Sequence, residues 1–286
     1  MDQLERKAYA KINLSLDVVG RLENGYHEVR MIMQAVDVSD LLRFERTEAG
    51  IEVVTGDVAV CAKEDNLIYK AAALLWDTYQ IPGGLKVTLE KRIPMAAGMA
   101  GGSSDAACTL LAINELCELG LSEEELRGLG VKIGADVPFC VMGRAALSEG
   151  IGEILTRIPS MPECTLLVAK PEINVSTKYV YEQLDSHEIT DHPDVDGMLE
   201  DLKRGDLRGI AGKLGNVLET VTVQKYPIVS KIKEVMMEGG AIGSLMSGSG
   251  PSVFGIYEDE NAARATGEAI RSLGLANQVF VTRPIL

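Results

Sequence analysis

The chain has 286 residues, 46% hydrophobic and 24% charged, which suffices for a substantial core and is more than one small domain needs. Its 42 acidic and 28 basic residues give a formal charge of −14, which argues against a general nucleic-acid or anionic-membrane binder. No apolar run is long enough to span a bilayer, and a charged start that leads into a strand pattern predicts no signal or transit peptide.

Five cysteines (61, 108, 117, 140 and 164) form no Cys-x-x-Cys pair, so reduced thiols, several of them buried, and a reducing cytoplasm are expected. The three histidines are scattered, which disfavours a structural zinc site.

The first strand is read from alternation. Ala8, Ala10, Ile12, Leu14, Leu16 and Val18 alternate with Tyr9, Lys11, Asn13, Ser15 and Asp17, so Lys11, Asn13 and Ser15 share one face. That face is either solvated or functional. Asn24-Gly25 predicts a hairpin turn, followed by Tyr26, His27 and an apolar stretch over 29–38. The Tyr-His pair can recognise a ligand or simply pack. A further strand is predicted over 51–54.

Asp65-Asn66 can cap a helix over 67–79, with Ala72, Leu75, Trp76 and Tyr79 on one side. After Pro82-Gly83-Gly84, the alternation of Leu85, Val87 and Leu89 predicts a strand that runs into Ile93-Pro94-Met95-Ala96-Ala97-Gly98-Met99-Ala100-Gly101-Gly102-Ser103-Ser104-Asp105. A helix leaves this stretch, with Ala106, Leu110, Ile113 and Cys117 at helical spacing and Gly120 as its stop.

Glycine lets backbone N–H groups approach a ligand, and a helix N-terminus carries partial positive charge. Ser103 or Ser104 can cap the helix or offer a hydroxyl to a phosphate or its metal. A polyphosphate fits such a loop; a steric glycine turn is the alternative. The loop is neither a Walker A motif nor a Gly-x-Gly-x-x-Gly fingerprint.

Ser122 and Glu125 predict a capping box and a short helix to about Gly130. In Gly134-Ala135-Asp136-Val137-Pro138-Phe139, an aspartate stands among apolar residues and is expected to be partly buried, with Lys11 as its partner. Glycines 150 and 152 predict a bent strand over 147–154.

Pro159 and Pro162 bracket the expected boundary between domains 1–160 and 161–286. A strand is predicted over 165–169, then a loop and a helix containing Tyr181, an exposed connection over 185–196, and three helices, the last opened by Pro227. Strands over 241–246 and 253–257 flank a second glycine loop, Ser247-Gly248-Ser249-Gly250-Pro251-Ser252, either a hairpin turn or a ligand-contacting segment. A helix over 260–273 and a strand over 278–282 complete the pattern.

Three separated segments, Lys11-Ile12-Asn13, the first glycine loop and Met246-Ser247-Gly248-Ser249-Gly250, resemble in order the motifs of the galactokinase, homoserine kinase, mevalonate kinase and phosphomevalonate kinase (GHMP) superfamily. Gly25-Tyr26-His27-Glu28, Asp65-Asn66-Leu67-Ile68, the doubled Gly-Gly-Ser-Ser and Gly134–Phe139 are similar to the branch whose acceptor is a cytidine-diphosphate-linked methylerythritol. Met99 and Ala100 depart from the more usual Leu and Gly.

The resemblance implies an α+β, two-domain fold. Its N-terminal domain would be ribosomal-protein-S5-domain-2-like and hold ATP; a ferredoxin-like α/β C-terminal domain would contribute to substrate binding, with the active site in the cleft. It implies transfer of the ATP γ-phosphoryl group to the acceptor's 2-hydroxyl in non-mevalonate isoprenoid precursor synthesis. Lys11 and Asp136 take the catalytic positions. Pro94, Ala96, Ala97, Gly98, Met99, Ala100, Gly101, Gly102, Ser103, Ser104, Asn66 and Lys91 fall on nucleotide-binding positions.

Asn13, Tyr26, His27, Tyr181 and Gly248 fall on substrate-binding positions. Mg²⁺ is the implied cofactor, with Ser103, Ser104 and Asp105 the nearest side chains and no ligand singled out. Partners would be small molecules, not nucleic acid or membrane, in the cytoplasm; oligomeric state is not legible. Two readings stay open beside this one: another small-molecule kinase of the superfamily, against which Gly25-Tyr26-His27 counts, and an inactive nucleotide-binding regulator, against which Lys11 and Asp136 count.

Overall fold

Alternating residues carry the first strand well beyond its clearest stretch: β1 runs Gln3–Arg21 and is followed by β2 (His27–Thr47) and β3 (Gly50–Thr55). The computed structural model describes residues 2–23, 25–56, 65–186 and 189–286, so Asn24 and Cys61 lie outside the described residues. Next come α1 (Leu67–Tyr79), β4 (Gly84–Glu90), α2 (Gly101–Leu116), α3 (Glu123–Val131), α4 (Val137–Met142), β5 (Ala145–Glu149), β6 (Ile154–Arg157) and β7 (Thr165–Lys170). Then follow α5 (Thr177–Leu184), α6 (Val195–Arg204), α7 (Leu207–Gly212), β8 (Gly215–Asn216), α8 (Glu219–Lys225), α9 (Ile228–Glu238), β9 (Gly243–Met246), β10 (Val253–Tyr257), α10 (Glu260–Ser272) and β11 (Gln278–Thr282).

Contacts divide the chain into two compact units, and neither is a continuous stretch. One comprises Met1–Ala10, Val38–Met95 and Ala100–Gly143; the other comprises Lys11–Asp37, Ala96–Met99 and Arg144–Leu286. A single cut near residue 160 therefore does not describe the packing, because β1 and β2 each contribute to both units.

In the first unit, β4 pairs antiparallel with β2 over Leu41–Thr47 and parallel with β3. Helices α1 and α2 supply the rest of a core that includes Leu42, Phe44, Leu75, Leu85, Leu110 and Ile113. Each Leu or Ile buried there is worth about 1.5–3 kcal/mol relative to exposure. Helix α1 buries Ile68, Ala71, Ala72 and Leu75, and Tyr79 faces outward, so the apolar stripe is rotated from the expected one. Ser122 and Glu125 form the expected capping box of α3.

In the second unit, β11, β7, β10 and β9 form an antiparallel sheet in that order. With α9 before β9 and α10 between β10 and β11, this is a ferredoxin-like arrangement. The bent strand expected over 147–154 is instead a hairpin. Strands β5 and β6 pair antiparallel, and Gly150 and Gly152 take positive φ between them. Among the described residues four helices, not three, lie between α5 and β9, and the two-residue β8, parallel to β1, was not predicted.

Lys11, Asn13 and Ser15 are all buried, so both faces of β1 are covered over residues 10–18 and a solvated polar face there is ruled out. Burial raises the Cys108 thiol to about 12, with Asp105 adding to the effect, so this cysteine stays protonated. Among the described residues no helix is long and apolar enough to cross a membrane.

Candidate active site

The loop after β4 reaches α2 through three residues of positive φ, Ala96 (49°), Gly98 (71°) and Ala100 (55°). Helix α2 starts at Gly101 with Ala100 as its N-cap, and no side chain caps it. Ser103 and Ser104 are therefore not the caps that serine's preference predicts; they lie within the first turn. The consequence is chemical. An uncapped helix start leaves backbone N–H groups pointing outward with the positive end of the macrodipole behind them, which suits an anion. Ala100 adopts a left-handed conformation that glycine takes freely, a strain of about 1–3 kcal/mol in a non-glycine residue.

The two helix-start glycines differ. A Cβ on Gly101 would meet Ile93 Cγ2 at 2.9 Å and Lys91 Nζ at 3.0 Å, whereas one on Gly102 would meet only Leu67 Cδ1 at 3.5 Å. Gly101 is thus required by the protein's own packing, while Gly102 is exposed with room beside it. Ser104 Oγ donates to the Tyr9 carbonyl at 2.7 Å, and Ser103 is half-buried. Asn66 caps α1, its Oδ1 accepting from the amides of Ile68 and Tyr69, so the expected nucleotide ligand has a structural duty.

Lys91, the other residue expected at the nucleotide, lies between two carboxyl groups of the protein. Its ammonium donates to Asp40 Oδ2 at 2.5 Å and to Asp105 Oδ2 at 2.8 Å. Burial works to lower its pKa, but the Asp105 and Asp40 carboxylates outweigh that and raise it. Burial pushes the Asp105 carboxyl up to about 8, with Lys91 opposing and Asp40 adding to the rise. Asp105 is turned toward Lys91 and is therefore a poor candidate to hold Mg²⁺.

In the second unit, the Lys11 ammonium donates to Asn13 Oδ1 at 2.7 Å. The Lys11 amide donates to the Met99 carbonyl at 3.2 Å. Ser247 Oγ donates to the Gly98 carbonyl at 3.0 Å and accepts from the Asn13 amide at 3.3 Å. A Cβ on Gly98 would lie 2.2 Å from the Ser247 carbonyl oxygen, and one on Gly248 would lie 3.2 Å from the Gly98 carbonyl oxygen.

The second glycine loop is thus the β9–β10 hairpin turn, and its small residues accommodate Gly98 and Asn13. Asn216, from β8, donates both amide hydrogens to it, to the carbonyls of Met246 and Gly248 at 2.8 Å each.

His27 and Tyr181 come together, with ring centroids 4.8 Å apart and planes tilted by 33°. His27 Nε2 lies 2.6 Å from Asp185 Oδ1, and Arg21 pairs with the same carboxylate at 3.3 Å. Asp185 is exposed, as expected of the connection it opens, and it is also the C-cap of α5 and the orienting partner of His27. In the neutral imidazole, a carboxylate on Nε2 favours the tautomer protonated there, which leaves Nδ1 as an acceptor. Tyr26 is 61% exposed. In the first unit, half-buried Asp136 is the N-cap of α4, and its side chain makes no cap bond to that helix.

Residues 66–144 match the family model for the GHMP kinases N terminal domain, and residues 198–275 match that for GHMP kinases C terminal. A relative from Lachnospira eligens, 4-diphosphocytidyl-2-C-methyl-D-erythritol kinase, is 52% identical over 99% of this chain and 98% of its own. The chain belongs to the GHMP kinase family. It is accordingly an ATP-dependent small-molecule kinase, with the α+β fold its motifs implied.

A relative of the same name from Clostridium novyi is 47% identical over 98% of this GHMP kinase and 99% of its own chain. A solved 4-(cytidine 5'-diphospho)-2C-methyl-D-erythritol kinase superposes with a TM-score of 0.85 at 35% identity, covering 98% of this chain and 99% of that one. Homoserine kinase from Cytophaga hutchinsonii superposes with a TM-score of 0.79 at 20% identity over 100% and 95%, a likeness of fold alone.

Sequence reasoning passed over Asp40, Asp185, Asn216 and the bridging role of Ser247. Only Ser247 carried a signal, its place inside a motif already singled out.

Proposed function

We propose that this GHMP kinase transfers the γ-phosphoryl group of ATP to the 2-hydroxyl of 4-diphosphocytidyl-2-C-methyl-D-erythritol, a step of non-mevalonate isoprenoid precursor synthesis in the cytoplasm. The observation that carries the reading is near-full-length identity of 45–52% to relatives of that name. Residues up to about 160 would hold ATP and lend Tyr26 and His27 to the acceptor, and the rest would contribute to acceptor binding.

In this mechanism Asp136 orients the acceptor hydroxyl and takes its proton. The hydroxyl oxygen bonds to the γ-phosphorus, the bond from that phosphorus to the bridging oxygen breaks, and ADP departs with the electron pair. The transition state is loose, so position and field matter more than proton removal. Lys11, its ammonium held by Asn13, offsets the charge that develops on the transferred group. The uncapped start of α2 receives the phosphates.

Among the described residues there is no group of three or more His, Cys, Asp or Glu side chains suited to a metal. That fits Mg²⁺, which is commonly held by substrate phosphates and water with few protein ligands. Ser103 is the side chain assigned to it, since Ser104 and Asp105 are engaged within the protein. Bound there, Mg²⁺ would neutralise phosphate charge.

Tyr26, His27 and Tyr181 are assigned to the cytosine. Stacking on an aromatic is worth about 1–3 kcal/mol per base but is nearly blind to base identity. Discrimination therefore falls to hydrogen bonds at the base edge, and the His27 Nδ1 acceptor suits the cytosine amino group, not the uracil carbonyl. His27→Ala and, less severely, Asp185→Asn are expected to erode the preference for the cytidine acceptor over its uridine analogue. Tyr26→Ala is expected to raise KM and largely spare the preference. Steady-state comparison of the two acceptors reads both effects.

The reading as a whole is tested by ADP release with a panel of acceptors. Turnover confined to the cytidine compound supports it. Equal turnover with free methylerythritol, mevalonate or homoserine would replace it with another kinase of the family, and no turnover with any acceptor with a regulator.

A further inference from the structure

The two ends of the glycine loop are tied together by one ammonium group. At the entry, Asp40 (0% side-chain exposure) accepts from the backbone amides of Arg92 and Ile93 through Oδ1, which fixes the chain just before Pro94. At the exit, Asp105 (4% exposure) belongs to α2, one turn beyond its first residue. Lys91 Nζ joins the two carboxyl groups and lies 3.0 Å from where a Cβ of Gly101 would stand. Asp105 Oδ1 is buried without a hydrogen-bond partner among the described residues, so this carboxyl is held through its other oxygen, by Lys91 and beside Asp40.

We propose that Lys91 is a positioning residue for the ATP loop: it acts through Asp40 and Asp105 to fix the span from strand to helix, and it does not bind the nucleotide itself. The span sets where the uncapped N–H groups of Gly101 and Gly102 point, and their aim decides the fit of a polyphosphate. A side chain that reached out to ATP would have to leave two buried carboxyl groups without their shared donor, and breaking such a cluster is costly. The proposal rests on the loop being the ATP phosphate site.

The test is a double-mutant cycle on ATP affinity in the full-length protein, read by calorimetry, with acceptor KM and thermal unfolding measured alongside. Lys91→Met and Asp105→Ala are each expected to weaken ATP binding by roughly tenfold or more and to leave acceptor KM within about twofold. The double variant should be no weaker than the worse single one, because both remove the same tie. Additive losses would mean that Lys91 meets the nucleotide directly, and unchanged ATP affinity in a folded Lys91→Met protein would mean that the tie is only structural; either overturns the proposal.

Lys91→Arg and Asp105→Asn serve if the larger changes prevent folding, with the same non-additivity expected. Gly102→Val examines the loop reading by itself. If that variant binds ATP normally, the premise and the proposal fall together. If it loses ATP while the 91/105 losses add, only the tie falls.

Discussion

Asp136→Asn is expected to lower kcat by roughly 10²–10⁴-fold, the size of a lost proton acceptor, while ATP affinity stays within about twofold of the parent. The substitution is nearly isosteric, and the Asp136 side chain makes no cap bond to α4, so the helix keeps its start. Pro138 and the buried Val137 and Phe139 hold the following turn independently of the carboxylate. What changes is the ability to orient a hydroxyl and receive its proton. Lys11→Met should also depress kcat, since it removes the cation that Asn13 holds. If both residues serve one transition state, the double variant will be far less impaired than the product of the single losses. Near-parental turnover in Asp136→Asn would remove the residue from the catalytic role.

Gly102→Val should weaken ATP binding by roughly a hundredfold or more with little loss of stability. The site beside Gly102 is open, with only Leu67 Cδ1 at 3.5 Å from an added Cβ, so the protein can hold a side chain there. Backbone N–H groups at a helix start bind phosphate only at close approach, and a branched side chain on the exposed turn keeps the phosphate away. Gly98→Ala makes an instructive contrast. Its Cβ would stand 2.2 Å from the Ser247 carbonyl oxygen at a positive φ, so instability should accompany any loss of binding. Calorimetric ATP affinity and thermal unfolding, measured on both variants, separate the two causes. A Gly102→Val protein that binds ATP normally would make the loop a structural turn.

Local chemistry made much of the chain legible. Strict alternation over residues 8–18 marked β1, and the Ser122–Glu125 box and Asn66 marked two helix starts, because these features need only neighbours in sequence. The same locality caused the errors. Alternation separates the two faces of β1 but does not tell that both are covered, so Lys11 and Asn13 could be read as solvated. Serine's capping preference pointed to Ser103 or Ser104, yet a phosphate site is served by a helix start that no side chain occupies.

Long-range partners had almost no signature, Ser247's place in a motif being the exception. His27 meets Asp185 across 158 residues, and Ser247 meets Gly98 across 149. Lys91 falls on a nucleotide-binding position of the family, and that position says nothing of Asp40, 51 residues away, to which its ammonium donates.

The central claim concerns which bond is made, so the decisive measurement is phosphorus NMR of the product formed from ATP and 4-diphosphocytidyl-2-C-methyl-D-erythritol. The account predicts one new phosphomonoester resonance on the 2-oxygen, an intact cytidine diphosphate linkage, and ADP in equal amount. ADP formed without a new phosphomonoester, or a phosphate carried on another oxygen, would contradict it.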